Sequence, residues 1–349
     1  MPKAHKKKPM GQGARRASQR RATASKGGPV TLAQAKALAR PQIQGARLTE
    51  AKLSVSLKNI GRQRQELHEL YKRERKERTK EYTALMKIMK KRGVKGLTPL
   101  AQPLQIFAEG DSWFKYPVPN FGGAIIPRLE KLIGVPIDNL AEVGDEIRIM
   151  MDGKQRKKLI DYLVKGCSAG GPWDALLFSG GGNDVVNHLE HCIKDYDPAI
   201  PVLDHIDQGR YDKVIGLLRA GYEDLIAIRD ASSPTTHLIL HAYDFAIPDG
   251  RGYWPWGPWL EPVLVDTHHF PPQPRLQEKF EVIKEMLKQF AALLQSLVRK
   301  NVTFINAQGT LSPQPSSWHN EMHPEEAGFD RFAAIFHQQL QVMFPGRVM

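Results

Sequence analysis

Ile106-Phe-Ala-Glu-Gly-Asp-Ser-Trp113 decides the fold. An apolar run over residues 104–108 reads as a strand and leads into Gly110, Asp111 and Ser112. A serine therefore follows a strand directly, on a tight turn that glycine permits. The same texture recurs downstream. Residues 137–141, 175–179, 237–242 and 302–306 are short apolar runs bounded by turn residues, and they read as four more strands. Between them, residues 125–134, 146–165, 210–229 and 276–299 carry apolar side chains at helical spacing. Strand and helix in alternation predict a parallel sheet covered on both faces, with sites at the C-terminal ends of its strands.

Three motifs fall at those ends. In the first, Ser112 could aim its hydroxyl into a cleft and offer its backbone N–H to an oxyanion, although a simple turn or helix cap would use the same residues. In the second, Leu176-Leu-Phe-Ser-Gly-Gly-Gly-Asn-Asp184, a strand ends in three glycines before Asn183, whose amide could donate to a developing negative charge. A glycine-rich turn capped by Asn183 or Asp184 is the plainer account. The third, Trp318-His-Asn-Glu-Met-His-Pro324, opens the C-terminal helix. His323 there could reach the tip of the first strand, while His319 reads as a surface histidine. Asp111 and Asp184 read as holding their own turns.

The rest of the chain separates by composition. Its 349 residues are 41% hydrophobic, enough to bury a full core. Nine of the positive charges behind the net +13 lie within residues 1–28, which hold no acid, so the basic character belongs to a tail. Residues 1–30 are too poor in large apolar groups to order, and are expected to be disordered. They are free either to contact nucleic acid or an anionic membrane or simply to stay solvated. Residues 31–98 read as a helical stalk or docking segment, with Leu53, Leu57, Ile60, Leu67 and Tyr71 near a heptad seam. That seam suits self-association or docking on a partner. Residues 99–349 form the main domain. No run of eighteen apolar residues suggests a membrane span, and no apolar stretch follows the charged start, so a cytoplasmic protein is expected, or one delivered by a non-classical route. Cys167 and Cys192 form no CxxC pair and read as reduced structural thiols, with a single bridge as the alternative.

Together, the three motifs resemble those of the SGNH/GDSL hydrolase family over residues 104–345. Gly110-Asp111-Ser112 is similar to its nucleophile block, and Asn139-Leu-Ala-Glu-Val-Gly144 to the block that supplies an oxyanion glycine. Gly181-Gly182-Asn183-Asp184 is similar to its Gly-x-Asn-Asp block, and His323-Pro324 to its histidine block. The resemblance implies a flavodoxin-like three-layer α/β/α sandwich with a mostly parallel five-stranded sheet. It implies a serine ester hydrolase with Ser112 as nucleophile and His323 as base. Ser112, Gly144 and Asn183 would line the oxyanion hole, and no metal or cofactor is required. One position departs from the pattern: the family carries Asp three residues before the histidine, and this chain has Asn320, with Glu321 beside it. Asn320 could orient His323 neutrally, Glu321 could supply the charge, or a backbone carbonyl could leave a Ser–His dyad.

The substrate side is read from Trp113 and from the aromatic loop over residues 251–274, with Trp254, Trp256 and Trp259. Long loops at strand ends build pockets, so these tryptophans are candidates to wall in a lipid, carbohydrate or other small ester. Packing of the loop for stability alone competes with that reading. A catalytically silent binding module, working through its basic N-terminal region, is the rival to the enzyme as a whole.

Overall fold

The computed structural model describes residues 104–116, 124–167, 170–253 and 257–348, together with Lys80, Thr83 and Ala84. The tail expected over residues 1–30 lies outside the described residues. Of the segment expected to be helical over residues 31–98, only Lys80, Thr83 and Ala84 lie within them, and these are helical.

Five strands form one sheet: β1 (Ile106–Gly110), β2 (Asp138–Asn139), β3 (Ala175–Ser179), β4 (His237–His241) and β5 (Val302–Ile305). Every pairing is parallel and the order is β2-β1-β3-β4-β5. The sequence of the central strands follows from this position. A parallel sheet is covered on both faces, so β1 and β3 are buried throughout and carry apolar residues on both faces, with Glu109 and Ser179 as buried polar exceptions near their C-terminal ends.

The helices are α1 (Ile125–Ile133), α2 (Ile147–Met150), α3 (Gly153–Lys165), α4 (Gly182–Asn187), α5 (Leu189–Cys192), α6 (Gln208–Ser232), α7 (Gln277–Ser296) and α8 (Glu326–Met343). From β1 the chain steps outward to β2, then crosses back past β1 to β3. With right-handed crossovers, that reversal sends successive helices to opposite faces. Accordingly α1 packs with α8, while α6 packs with α2, α3 and α7. The result is a three-layer α/β/α sandwich with flavodoxin-like strand order, the architecture that the family resemblance implies. Its reversal lies between β1 and β3, where open α/β sheets part to form a crevice.

Two differences from expectation bear on the site. The single helix expected over residues 146–165 is two, because Asp152 accepts a hydrogen bond from Gly153 N at 2.7 Å and caps a fresh start for α3. Strand β1 runs two residues beyond 108, so the chain leaves the sheet directly at Asp111. Gly110 makes that extension feasible. It pairs with Ser179, and a Cβ on residue 110 would sit 2.5 Å from the Ser179 carbonyl oxygen. Neither Cys167 nor Cys192 is in a disulfide, and both are buried. No described helix is long and apolar enough to cross a membrane.

Candidate active site

Beyond β1 the chain turns at once. The Asp111 carbonyl accepts from Phe114 N and Lys115 N, both at 3.1 Å, and its side-chain Oδ1 accepts from Trp113 N at 3.0 Å. The same carboxylate takes the Ser179 hydroxyl at 2.9 Å and the Tyr243 hydroxyl at 2.5 Å. Asp111 thus ties the tips of β1 and β3 and the segment after β4 into one buried knot. Burial pushes its carboxyl up to about 6, against the opposing effect of these hydrogen bonds. Ser112, carried on this turn, is itself buried.

His323 arrives from the far edge of the sheet. After β5, residues 318 and 324 make an isolated antiparallel bridge, and His319 N donates to the His323 carbonyl at 2.8 Å. This small loop projects the imidazole back over β1. His323 Nε2 lies 2.7 Å from Ser112 Oγ, and Nδ1 lies 3.0 Å from Asn320 Oδ1. The same Asn320 oxygen accepts from Met322 N and His323 N, each at 3.0 Å. An atom that receives two backbone N–H groups is the carbonyl oxygen of the amide, so the Asn320 side chain has one permitted orientation. Its nitrogen donates to the Tyr116 hydroxyl at 2.8 Å. An acceptor opposite Nδ1 places the imidazole proton there and leaves the Nε2 lone pair facing Ser112. Burial, and secondarily the nearby His319, bring the imidazole down to about 3, so it is neutral at physiological pH.

Glu321 does not join this cluster. Its carboxylate turns away and accepts from Trp259 N (2.6 Å), Leu260 N (2.8 Å), Glu261 N (2.8 Å) and Gly250 N (3.1 Å). Burial raises its carboxyl, with the four N–H groups opposing. The expectation that Glu321 could supply the charge is therefore corrected: its acceptor sites are spent on Gly250 and residues 259–261.

Gly144 and Asn183 converge on the same edge. Glu142 N donates to the Gly110 carbonyl at 2.8 Å, which lays the segment after β2 alongside the tip of β1. Asn183 Nδ2 donates to the Asp145 carbonyl at 2.9 Å, which ties the start of α4 to that segment from the other side. Gly144 sits between these two ties, exposed, with φ at +82° and no atom within 4 Å of an added Cβ. Conformation rather than space calls for glycine here. An amide carries two N–H donors, and the bond to Asp145 uses one of those on Asn183. Asp184 accepts from Ile147 N at 3.0 Å and fixes the start of α2, and burial raises its carboxyl to about 6.

The tryptophans divide. Trp113 is 4% exposed and is not placed to touch a substrate. Its ring packs against Phe332 at 5.0 Å and edge-on to Tyr243 at 5.2 Å, and Nε1 donates to the Met322 carbonyl at 3.2 Å. This corrects the substrate-wall expectation for Trp113: it braces the histidine loop against the serine turn. Trp259 is half-buried, with its ring 6.1 Å from that of His323 and steeply inclined at 71°. Trp254 and Trp256 lie outside the described residues. The far end of the loop belongs to the core, where Phe270 packs on Tyr196 and His205.

Two site residues escaped the sequence reading, Tyr116 and Tyr243. Tyr116 is buried, with its ring 4.3 Å from that of His323. Neither stands in a motif, and only their spacing from strand tips could have drawn attention to them. Among the described residues, no group of three or more His, Cys, Asp or Glu is placed to hold a metal ion.

Fold and site together define a three-layer α/β/α protein with a serine–histidine–asparagine cluster at the C-terminal edge of its sheet. No family model and no curated protein matches the chain. Solved structures similar to it include the lipase Lip_vut3 from a goat rumen metagenome, at 14% identity over 67% of this chain and 96% of that one, with a TM-score of 0.44. An extracellular lipase of Streptomyces rimosus is 13% identical over 67% and 99%, with a TM-score of 0.44. A protein of Parabacteroides merdae described as a GDSL-like lipase is 17% identical over 69% and 96%, with a TM-score of 0.38. The likeness is one of fold.

Proposed function

We propose that this chain is a serine ester hydrolase of the SGNH/GDSL type, in which Ser112 attacks a carboxylic ester. The observation that carries the reading is the 2.7 Å contact between Ser112 Oγ and the Nε2 of a histidine whose other nitrogen is held by Asn320. A hydroxyl, a neutral imidazole with its lone pair toward that hydroxyl, and a third group fixing the tautomer are the parts that nucleophilic acyl transfer needs.

In this reading Ser112 Oγ bonds to the acyl carbon while its proton passes to His323 Nε2. The carbonyl electrons move onto oxygen, and the resulting oxyanion lies against the N–H groups of Ser112 and Gly144 and the remaining donor of Asn183. Each such donor is worth about 2.7–4 kcal/mol in the transition state. The tetrahedral species collapses, the C–O bond breaks, and the alkoxide takes the proton from His323. Water then repeats the sequence on the acyl-enzyme, with His323 as base, and releases the acid and free Ser112. Trp259, beside His323, serves as part of the substrate wall.

The test is hydrolysis of p-nitrophenyl esters by the wild type and by Ser112→Ala, with fluorophosphonate labelling of both. Turnover and labelling that vanish together in the variant are expected. A wild type that neither cleaves the esters nor takes the label would sink the enzyme reading and turn attention to a silent binding module.

A further inference from the structure

We propose that Glu321 is a positioning residue that fixes Trp259 beside His323 and so sets which esters the site accepts, an inference that rests on the hydrolase reading above. Glu321 is fully buried, one residue from Asn320. All four side-chain partners named above are main-chain N–H groups, three of them consecutive at Trp259, Leu260 and Glu261. Its own backbone completes the grip: Glu321 N donates to the Arg251 carbonyl at 3.1 Å, and its carbonyl accepts from Ile247 N at 2.9 Å.

Main-chain donors define where a backbone lies without regard to the side chains it bears. A carboxylate holding three consecutive N–H groups therefore dictates the path of the chain at residue 259, and with it the reach of the Trp259 ring. A second anchor acts from the other side. Lys279 on α7 is fully buried, and its Nζ lies 3.6 Å from Glu261 Oε1. Residues 259–261 are thus held by backbone to the histidine loop and by side chain to α7. Asn320 and Glu321 are neighbours with separate tasks: one orients the base, and the other places the wall beside it.

A residue that merely stabilised the fold would weaken the cleavage of all esters alike. A residue that positions Trp259 changes the ratio between them. The experiment uses the full chain as wild type, Glu321→Gln, Trp259→Ala and the double variant. It measures kcat/KM for p-nitrophenyl acetate and octanoate, labelling of Ser112 by a small fluorophosphonate, and hydrogen exchange across residues 250–261. Glu321→Gln turns an N–H group toward donors that need an acceptor. Exchange at residues 259–261 is expected to rise by about tenfold or more, with the strand amides unchanged. The octanoate-to-acetate ratio should move by about fivefold or more in the direction given by Trp259→Ala, while small-probe labelling stays within about threefold of the wild type. The double variant should shift the ratio no further than either single change.

Should Glu321→Gln fail to fold, Glu321→Asp keeps the charge, shortens the reach, and is expected to move the ratio in the same direction. An active wild type whose ratio or loop exchange is untouched by these changes overturns the inference, as do effects that multiply in the double variant. A wild type that takes no label and cleaves neither ester overturns the hydrolase reading, and the inference falls with it.

Discussion

His323 Nδ1 meets the amide oxygen of Asn320 at 3.0 Å, so the group that orients this imidazole carries no charge. Loss of the carboxylate in a serine triad is damaging chiefly when the amide presents its nitrogen and enforces the wrong tautomer. That route is closed here, because the Met322 and His323 N–H groups hold the oxygen in place. What the amide cannot do is stabilise the imidazolium that the proposed attack by Ser112 would form.

Asn320→Asp should therefore retain activity while changing its pH dependence. A carboxylate favours the protonated imidazole and raises its pKa by about 1–3 units. The base of the wild type lies at about 3, so its kcat/KM should hold steady from neutral pH down to the onset of acid unfolding. The acid limb of Asn320→Asp should appear at visibly higher pH. Asn320→Ala, which leaves the ring unheld, should lose about a hundredfold in kcat/KM. Profiles of kcat/KM for the three proteins settle the matter, and coincident acid limbs for wild type and Asn320→Asp would refute an orienting role for residue 320.

The fold was legible because burial on two faces imposes continuous apolar strands, and β3 lies at the residues its sequence marks out. The serine, the histidine and their order along the chain were legible because strand-end motifs are local. The division between Asn320 and Glu321 was not. Both are polar residues beside His323, and only the arrival of Gly250 and residues 259–261 from elsewhere in the chain shows which carboxylate oxygens are already committed. Trp113 was misjudged for a related reason. An aromatic side chain after a nucleophile suits a pocket as well as a core, and the choice rests on α8 and the Met322 carbonyl, about 200 residues away.

Trp113→Phe puts that correction to the test. Phenylalanine keeps most of the packing against Tyr243 and Phe332 but deprives the Met322 carbonyl of its donor. Stability should fall by about 1–3 kcal/mol, the usual cost of a buried unsatisfied group. Because Met322 adjoins His323, kcat should fall for short and long esters in equal proportion. Urea unfolding and a chain-length series measure the two effects. A change in chain-length preference would return Trp113 to the substrate wall.

Asp111 offers a test of the knot beneath Ser112. Its carboxyl titrates near 6 in the fold against an ordinary 3.8, because burial outweighs its hydrogen bonds. At pH 5 it is protonated when folded and ionised when unfolded, so the folded state binds the extra proton. Its contribution to stability is present below about 3.8 and is lost as pH rises through 6. The two-unit difference is worth about 3 kcal/mol. Asp111→Asn mimics the protonated acid at every pH, keeping an oxygen for Trp113 N and the Ser179 hydroxyl. Between pH 4 and pH 7, the stability of the variant relative to the wild type should therefore shift in its favour by about that amount. Other titrating groups are common to both proteins and drop out of the comparison. Parallel pH–stability curves would mean that the Tyr243 and Ser179 hydroxyls and Trp113 N hold the carboxylate ionised, which would place a buried negative charge one residue from Ser112.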